Sequence, residues 1–239
     1  MCAPDRPAFR SFASALALAL ALVAGGCQHS GGSSAVDELD PEHTNNQSIV
    51  LALGDSITFG VLDTYVPDCS QSNRGQGGFC PPLAAHSDKT VINAGVCGED
   101  SFGGVERING LLRRFRPSVI LLDYSPNDLF WGADTTIKNL RTMIDAARAN
   151  LTVPVIGTLV PATGQHSRWN PYILDVNNRI RALCAEEGLE CADHYTAFEE
   201  DPGFQASPFA LLSEDGLHPN HAGYLLMAET WNRSLRRVY

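Results

Sequence analysis

Positive charge is scarce in this chain: 17 Lys and Arg stand against 27 Asp and Glu, a formal net charge of -10. A phosphate backbone is bound through a basic face, so nucleic acid is excluded as a partner. An anionic membrane surface would also repel such a domain, which excludes attachment through a polybasic patch. Long apolar runs are almost missing as well. The single conspicuous stretch, 13 to 24, is too short for a comfortable transmembrane helix. No Cys or His grouping has zinc-ligand spacing, so neither a metal nor another cofactor is expected. There is no internal repeat and no second domain boundary. What remains, 239 residues with 44% hydrophobic and 18% charged, describes one soluble domain long enough to bury a core.

The N-terminus differs in character. Arg6 and Arg10 precede the apolar stretch, as in a secretory signal, and the stretch runs into Gly25-Gly26-Cys27. That end resembles the lipobox of bacterial lipoproteins, in which the Cys becomes the lipidated first residue, although Ala24 stands where a large aliphatic is usual. The alternative is ordinary cleavage with Cys27 left as a plain thiol. Residues 28 to 47 are rich in Gly, Ser, Asn, Asp and Glu without an apolar period, as in a flexible tether. The expected organisation is therefore a signal peptide over 1–26, a lipidated Cys27 and tether over 27–47, and a single folded domain over 48–239. Removal of 1–26 takes away two Arg and one Asp, which moves the formal charge to about -11. The expected location is the bacterial cell envelope, lipid-anchored, with a periplasmic or secreted form as the alternative. Any membrane attachment is expected through the lipid alone.

Three short stretches carry chemistry. Gly54-Asp55-Ser56 closes the apolar run Ile49-Val50-Leu51-Ala52-Leu53, whose length and β-branched content suit a buried strand. Ser56 then sits at the C-terminal end of that strand, where open α/β sheets bind ligands, and Gly54 lets the chain turn sharply. A serine hydroxyl needs a base to take its proton and a third group to orient that base. His218 and Asp215, three residues apart in Asp215-Gly216-Leu217-His218-Pro219, suit those two roles. His221 is a rival base that the spacing disfavours. The third stretch is Asn127-Asp128, in which Asp128 reads as a loop or capping residue.

Taken together these stretches resemble the SGNH, or GDSL-type, hydrolase superfamily, over roughly Ser48 to Tyr239. Gly54 to Thr58 is similar to the first family block and implies Ser56 as nucleophile, with its N–H also facing the oxyanion. Asn93 to Ser101 is similar to the second block, whose oxyanion glycine falls on Gly98 in preference to Gly95. Ser125-Pro126-Asn127-Asp128 departs from the usual Gly-x-Asn-Asp in its first residue but keeps Asn127 as an amide donor. Asp215 to Pro219 matches the last block in full. The resemblance implies a three-layer α/β/α, flavodoxin-like sandwich on a five-stranded parallel sheet. The Gly-x-Ser-x-Gly nucleophile motif of α/β-hydrolases is absent around Ser56.

Alternating patterns support parallel βα units. Strands are expected at 49–53, 90–93, 118–123, 153–158 and 189–192. Helical spacing links Val105, Ile108, Leu112 and Phe115. It also links Ile137, Leu140, Ile144 and Ala147 behind Asp134 as a cap, and Ile173, Val176, Ile180 and Leu183 behind Asn170 as a cap. A final helix is expected from about Ala222 to Arg236, and Val61 to Lys89 reads as an irregular stretch. With Cys2 and Cys27 set aside, five cysteines remain. The expected pairs are Cys69 with Cys80 and Cys184 with Cys191, leaving Cys97 as a small buried free residue.

The function expected is cleavage of carboxylic esters through an acyl-serine, on short acyl groups such as acetyl esters of carbohydrate or cell-envelope glycan. Lysophospholipase or thioesterase activity is the alternative, and a catalytically silent glycan-binding lipoprotein is the rival of another class. No long apolar lid is visible, which argues against a triglyceride lipase. Tyr124, Phe130 and Trp131 flank Asn127 and either line a subsite or pack as core. A small-molecule or glycan ester substrate and a monomer are expected.

Overall fold

A computed structural model describes residues 44–124 and 126–239. The signal peptide, Cys27 and nearly all of the tether lie outside the described residues, as does Ser125. Five strands, β1 Asn46–Gly54, β2 Thr90–Gly95, β3 Pro117–Asp123, β4 Val153–Gly157 and β5 Cys191–Ala192, form one sheet in the order β2-β1-β3-β4-β5. Every pairing is parallel. The helices are α1 Ser56–Phe59, α2 Cys80–Ser87, α3 Ser101–Phe115, α4 Ala133–Ala149, α5 Asn170–Glu187, α6 His194–Glu199, α7 Pro202–Ala206 and α8 His221–Val238.

The strands are apolar at consecutive positions because both faces are covered. Leu51, Leu53, Ile120, Leu122 and Ile156 point to one face, where they join Ile108 and Leu112 of α3, Leu140 and Ile144 of α4 and Ile180 and Leu183 of α5. The residues between them, Val50, Ala52, Val119, Leu121 and Val155, point the other way and join Leu83 of α2, Phe198 of α6 and Tyr224, Trp231 and Leu235 of α8. The result is the three-layer α/β/α sandwich expected from the sequence. Starting at β1, the chain builds outward to β2 and then returns to continue from β3. The order in which strands are added therefore reverses between β1 and β3, and the loops leaving those two strands diverge to open a crevice.

Several expectations need correction. Strand β1 starts at Asn46, inside the segment read as tether, and β5 has two residues rather than four. The stretch read as irregular contains α2, which carries Pro81 and Pro82 in its first turn and buries only Cys80 and Leu83. Such a short element has too little period to register. Asp134 does not cap α4: Gly132, at φ +80°, occupies the cap, while Asp134 lies in the first turn and pairs with Arg179. Asn170 is the first residue of α5 itself, and its amide spans Ala162 by accepting from N–H and donating to the carbonyl.

The disulfide between Cys184 and Cys191 forms as expected and ties the end of α5 to β5. The other pairing differs: Cys69 is bonded to Cys97, with Cα atoms 6.1 Å apart, and Cys80 is the free thiol. The reason lies in where α2 points its first residue. Cys80 is turned into the apolar layer with Phe79 and Leu83, out of reach of the exposed loop that carries Cys69. Burial pushes the Cys80 thiol pKa far up, with Asp123 adding to the effect, so it is an inert core residue.

Candidate active site

The site is assembled in the crevice left by the reversal of the strand order. Ser56 follows β1 as the first residue of α1, whose N-cap Asp55 is buried and accepts from Ile57 N–H at 2.8 Å. Gly54 is required by space. A Cβ there would stand 2.3 Å from the Asp123 carbonyl and 2.2 Å from Thr58 Oγ1. Thr58 Oγ1 in turn donates to Asp123 Oδ2 at 3.0 Å, fastening α1 to the end of β3.

His218 reaches the same point from a turn preceding α8. Ser56 Oγ and His218 Nε2 are 2.9 Å apart, and His218 Nδ1 lies 2.6 Å from Asp215 Oδ2. The other oxygen, Asp215 Oδ1, accepts from the N–H groups of Leu217 at 3.0 Å and His218 at 3.1 Å. Burial raises the Asp215 pKa, but hydrogen bonds from the His218 ring and from those two N–H groups outweigh it and hold the carboxyl at about 2. An ionised carboxylate only accepts, so Nδ1 must carry the proton and Nε2 must be the acceptor for the serine hydroxyl. This is the tautomer a general base requires.

The turn itself is over-determined. Gly216 adopts φ +69°, and a Cβ on it would meet the Thr163 carbonyl at 2.5 Å. Thr163 N–H donates to the Gly216 carbonyl at 2.7 Å, His166 Nδ1 donates to the Asp215 carbonyl at 2.8 Å, and Ser213 N–H donates to the His218 carbonyl at 2.9 Å. Thr163 and His166, which follow β4, are supports that sequence reasoning missed. Nothing periodic links them to the residues they hold.

Ser56, Gly98, Asn127 and His218 line one cleft of about 250 Å³ together with Ile57, Val61, Cys69, Cys97, Pro126 and Leu217. Gly98 has φ +73° with open space around it, so its glycine is needed for conformation and not for room. Gly95 ends β2, where a Cβ would stand 2.2 Å from Phe59 N, so its glycine is needed for room. Asn127 Nδ2 donates to the Glu99 carbonyl at 3.0 Å and makes a longer 3.4 Å contact with Asp55 Oδ2. Asp128 is fully buried, and its Oδ1 accepts from Ser101 N–H at 2.8 Å, so it helps start α3 as the sequence suggested.

Other predicted residues lie apart from the cleft. His221 begins α8 and its Nδ1 lies 2.8 Å from Asp63 Oδ1. Tyr124 is core, with its hydroxyl donating to Glu99 Oε2 at 2.6 Å beside Arg107. Phe130 is 89% and Trp131 56% exposed, and Trp131 stacks edge-on against Phe102 while its Nε1 donates to Asp100. The Glu99–Arg107 pair beside the turn that carries Gly98 was not foreseen, because the partners lie eight residues apart across a loop.

A family model described as GDSL-like lipase/acylhydrolase matches residues 52–226. Esterase TesA of Pseudomonas aeruginosa is 27% identical over 136 residues, covering 55% of this chain and 62% of that relative. The chain thus spans about 62% of the length of the curated relative it matches. Among solved structures, a lipase/acylhydrolase from Enterococcus faecalis superposes with a TM-score of 0.63 at 25% identity, over 80% of this chain and 97% of that one. A catalytic mutant of an acetylxylan esterase from Geobacillus stearothermophilus shares the fold at a TM-score of 0.65 and 17% identity, over 81% of this chain and 96% of that one. A model matched across nearly the whole sandwich, with Ser56 and His218 both inside it, means that the chain belongs to the GDSL-like lipase/acylhydrolase family.

Proposed function

We propose that the protein is a serine hydrolase of carboxylic esters, acting on short acyl groups carried by carbohydrate or cell-envelope glycan. The observation that carries this reading is the unbroken contact chain from Ser56 Oγ through His218 to Asp215. Ser56 Oγ attacks the ester carbonyl carbon while His218 Nε2 takes its proton. The carbonyl oxygen becomes an oxyanion, met by Gly98 N–H, Ser56 N–H and an Asn127 side-chain N–H. Collapse breaks the bond to the alcohol, which leaves with the proton from Nε2. Water then repeats the sequence on the acyl-serine, releasing the acid and restoring the hydroxyl. Asp215 stays ionised throughout and stabilises the imidazolium. Each oxyanion donor contributes on the order of 3 kcal/mol to lowering the barrier.

The small cleft, about 250 Å³, supports a short acyl group, its apolar wall being Ile57, Val61, Pro126, Leu217 and the Cys69–Cys97 disulfide. The fold shared with an acetylxylan esterase supports a sugar on the alcohol side. A catalytically silent glycan binder would have no use for a carboxylate that fixes a base tautomer. Export with lipidation at Cys27 is part of the same proposal; two disulfides suit an oxidising compartment.

The test is hydrolysis of 4-nitrophenyl esters from acetyl to palmitoyl, alongside acetylated xylose oligosaccharides. The expected result is release of acetate from the sugar and a fall in kcat/KM on the order of 100-fold from acetyl to palmitoyl. A preference for palmitoyl would overturn the short-acyl reading and point to lysophospholipase or thioesterase chemistry.

A further inference from the structure

The three oxyanion donors are not held alike. Ser56 N–H belongs to α1, and the Asn127 amide is fixed by its bond to the Glu99 carbonyl. Gly98 instead sits in an exposed turn, closed by Glu99 N–H donating to the Val96 carbonyl at 3.1 Å. With positive φ at its third residue this is a type II turn, and the N–H offered to the oxyanion belongs to its central peptide, Cys97–Gly98. Type I and type II turns differ by a rotation of that peptide of roughly 150°, and glycine accepts either. Rotation to type I would swing the Gly98 N–H away from the cleft. Something other than glycine must therefore hold the peptide in place.

Cys97 is the other half of that peptide, and its side chain is bonded to Cys69. Cys69 lies on the exposed loop 67–77. Among the described residues, every hydrogen bond of this loop stays inside it, as with Asn73 and Ser70 on the Asp68 carboxylate. Apart from the disulfide, the loop touches the domain through Arg74 stacked over Phe59 and, at its end, through buried Gly77 against Gly60, Asp63 and Val66. Both sulfur-bearing residues line the cleft. The bond thus forms part of the substrate wall and anchors the oxyanion turn at once.

We propose that Cys97 is a positioning residue for catalysis: its disulfide with Cys69 holds the Cys97–Gly98 peptide with its N–H toward the oxyanion, so the enzyme works fully only when this pair is oxidised. The inference rests on the ester-hydrolase reading above. Cys69 is exposed, so a dithiol can reach it. One thiolate attacks Cys69 Sγ, Cys97 leaves as a thiolate and is protonated, and the second thiol displaces Cys69 by closing the reductant's own disulfide. Two electrons and two protons pass to the protein, and the dithiol is oxidised.

The test compares wild type, the double variant Cys69→Ala/Cys97→Ala and the control Cys184→Ala/Cys191→Ala for kcat and KM on 4-nitrophenyl acetate, and for Tm. The first variant is expected to lose about 10- to 100-fold in kcat with KM changed by less than about 3-fold, the signature of an interaction made in the transition state. The control is expected to lose Tm while keeping kcat. A folded Cys69→Ala/Cys97→Ala variant with near-normal kcat, or one altered in KM alone, would overturn the proposal. Should that variant fail to fold, dithiothreitol applied to the control variant gives the same comparison. Reversible loss and recovery of kcat on reoxidation supports the proposal, and undiminished kcat after verified reduction of Cys69–Cys97 overturns it. An active wild type beside an equally active variant refutes this proposal alone, whereas an inactive wild type removes the ester-hydrolase reading and this proposal with it.

Discussion

A single proton on His218 decides what this site can do. Asp215 accepts from Nδ1, from Leu217 N–H and from its own partner's N–H, which leaves Nε2 one role, to accept from Ser56. The spacing Asp-x-x-His carried this in the sequence because one turn is the reach of a carboxylate to an imidazole three residues on. The exclusion of His221 was legible for the same reason. The short-range pair Cys184–Cys191 was legible too, but the pairing of Cys69 was not, because neither the inward turn of Cys80 nor the nearness of Cys97 to Cys69, 28 residues apart, has a local signature. Asn127 gives the prediction at this scale. Its amide is fixed by the Glu99 carbonyl, so Asn127→Ala should lower kcat by about 10²- to 10³-fold while leaving Tm nearly unchanged, as read by steady-state kinetics and calorimetry. An unchanged kcat would remove it from the oxyanion site.

At the level of elements, long periodic segments were readable and short ones were not. Helices α3, α4 and α5 each repeat an apolar face over four turns or more, whereas α2 and α6 have eight and six residues and lean on α8 for cover. The contact of α6 with α8 has its own consequence. His194 of α6 is fully buried against Trp231 of α8, ring centroids 4.7 Å apart, and neither ring nitrogen has a hydrogen-bond partner among the described residues. Burial pulls its pKa down to about 3, Asp193 pulls the other way, and Arg233 adds to the depression. The folded state therefore keeps His194 neutral while the unfolded chain protonates near its ordinary value of 6.5. Its contribution to stability is complete above pH 6.5 and is lost as pH falls from there toward 3. Urea unfolding should show wild type losing on the order of 2 kcal/mol more than His194→Leu between pH 7 and pH 5. Equal losses in the two proteins would show that His194 is not the source.

For the whole molecule, topology explains why residues 162 positions apart in sequence meet at 2.9 Å. The strand order places the ends of β1 and β3 side by side at the point of its reversal, so Ser56 and Asn127 face one crevice, and the turn before α8 delivers His218 into it. The sandwich was implied by the motifs, and the alternation of apolar runs with amphipathic stretches agreed with it. The supports behind the site, Glu99 with Arg107 and Thr163 with His166, depend on which loops the fold brings together and left no mark in the sequence. The central claim is that this convergence activates one hydroxyl among all those in the chain. The most direct measurement is labelling with a fluorophosphonate followed by intact mass and peptide mapping of wild type and Ser56→Ala. A single adduct on the peptide containing Ser56, lost in the variant while its circular dichroism stays that of wild type, is the result predicted. No adduct on active-site-intact protein, an adduct on a different residue, or labelling that survives in Ser56→Ala would contradict it.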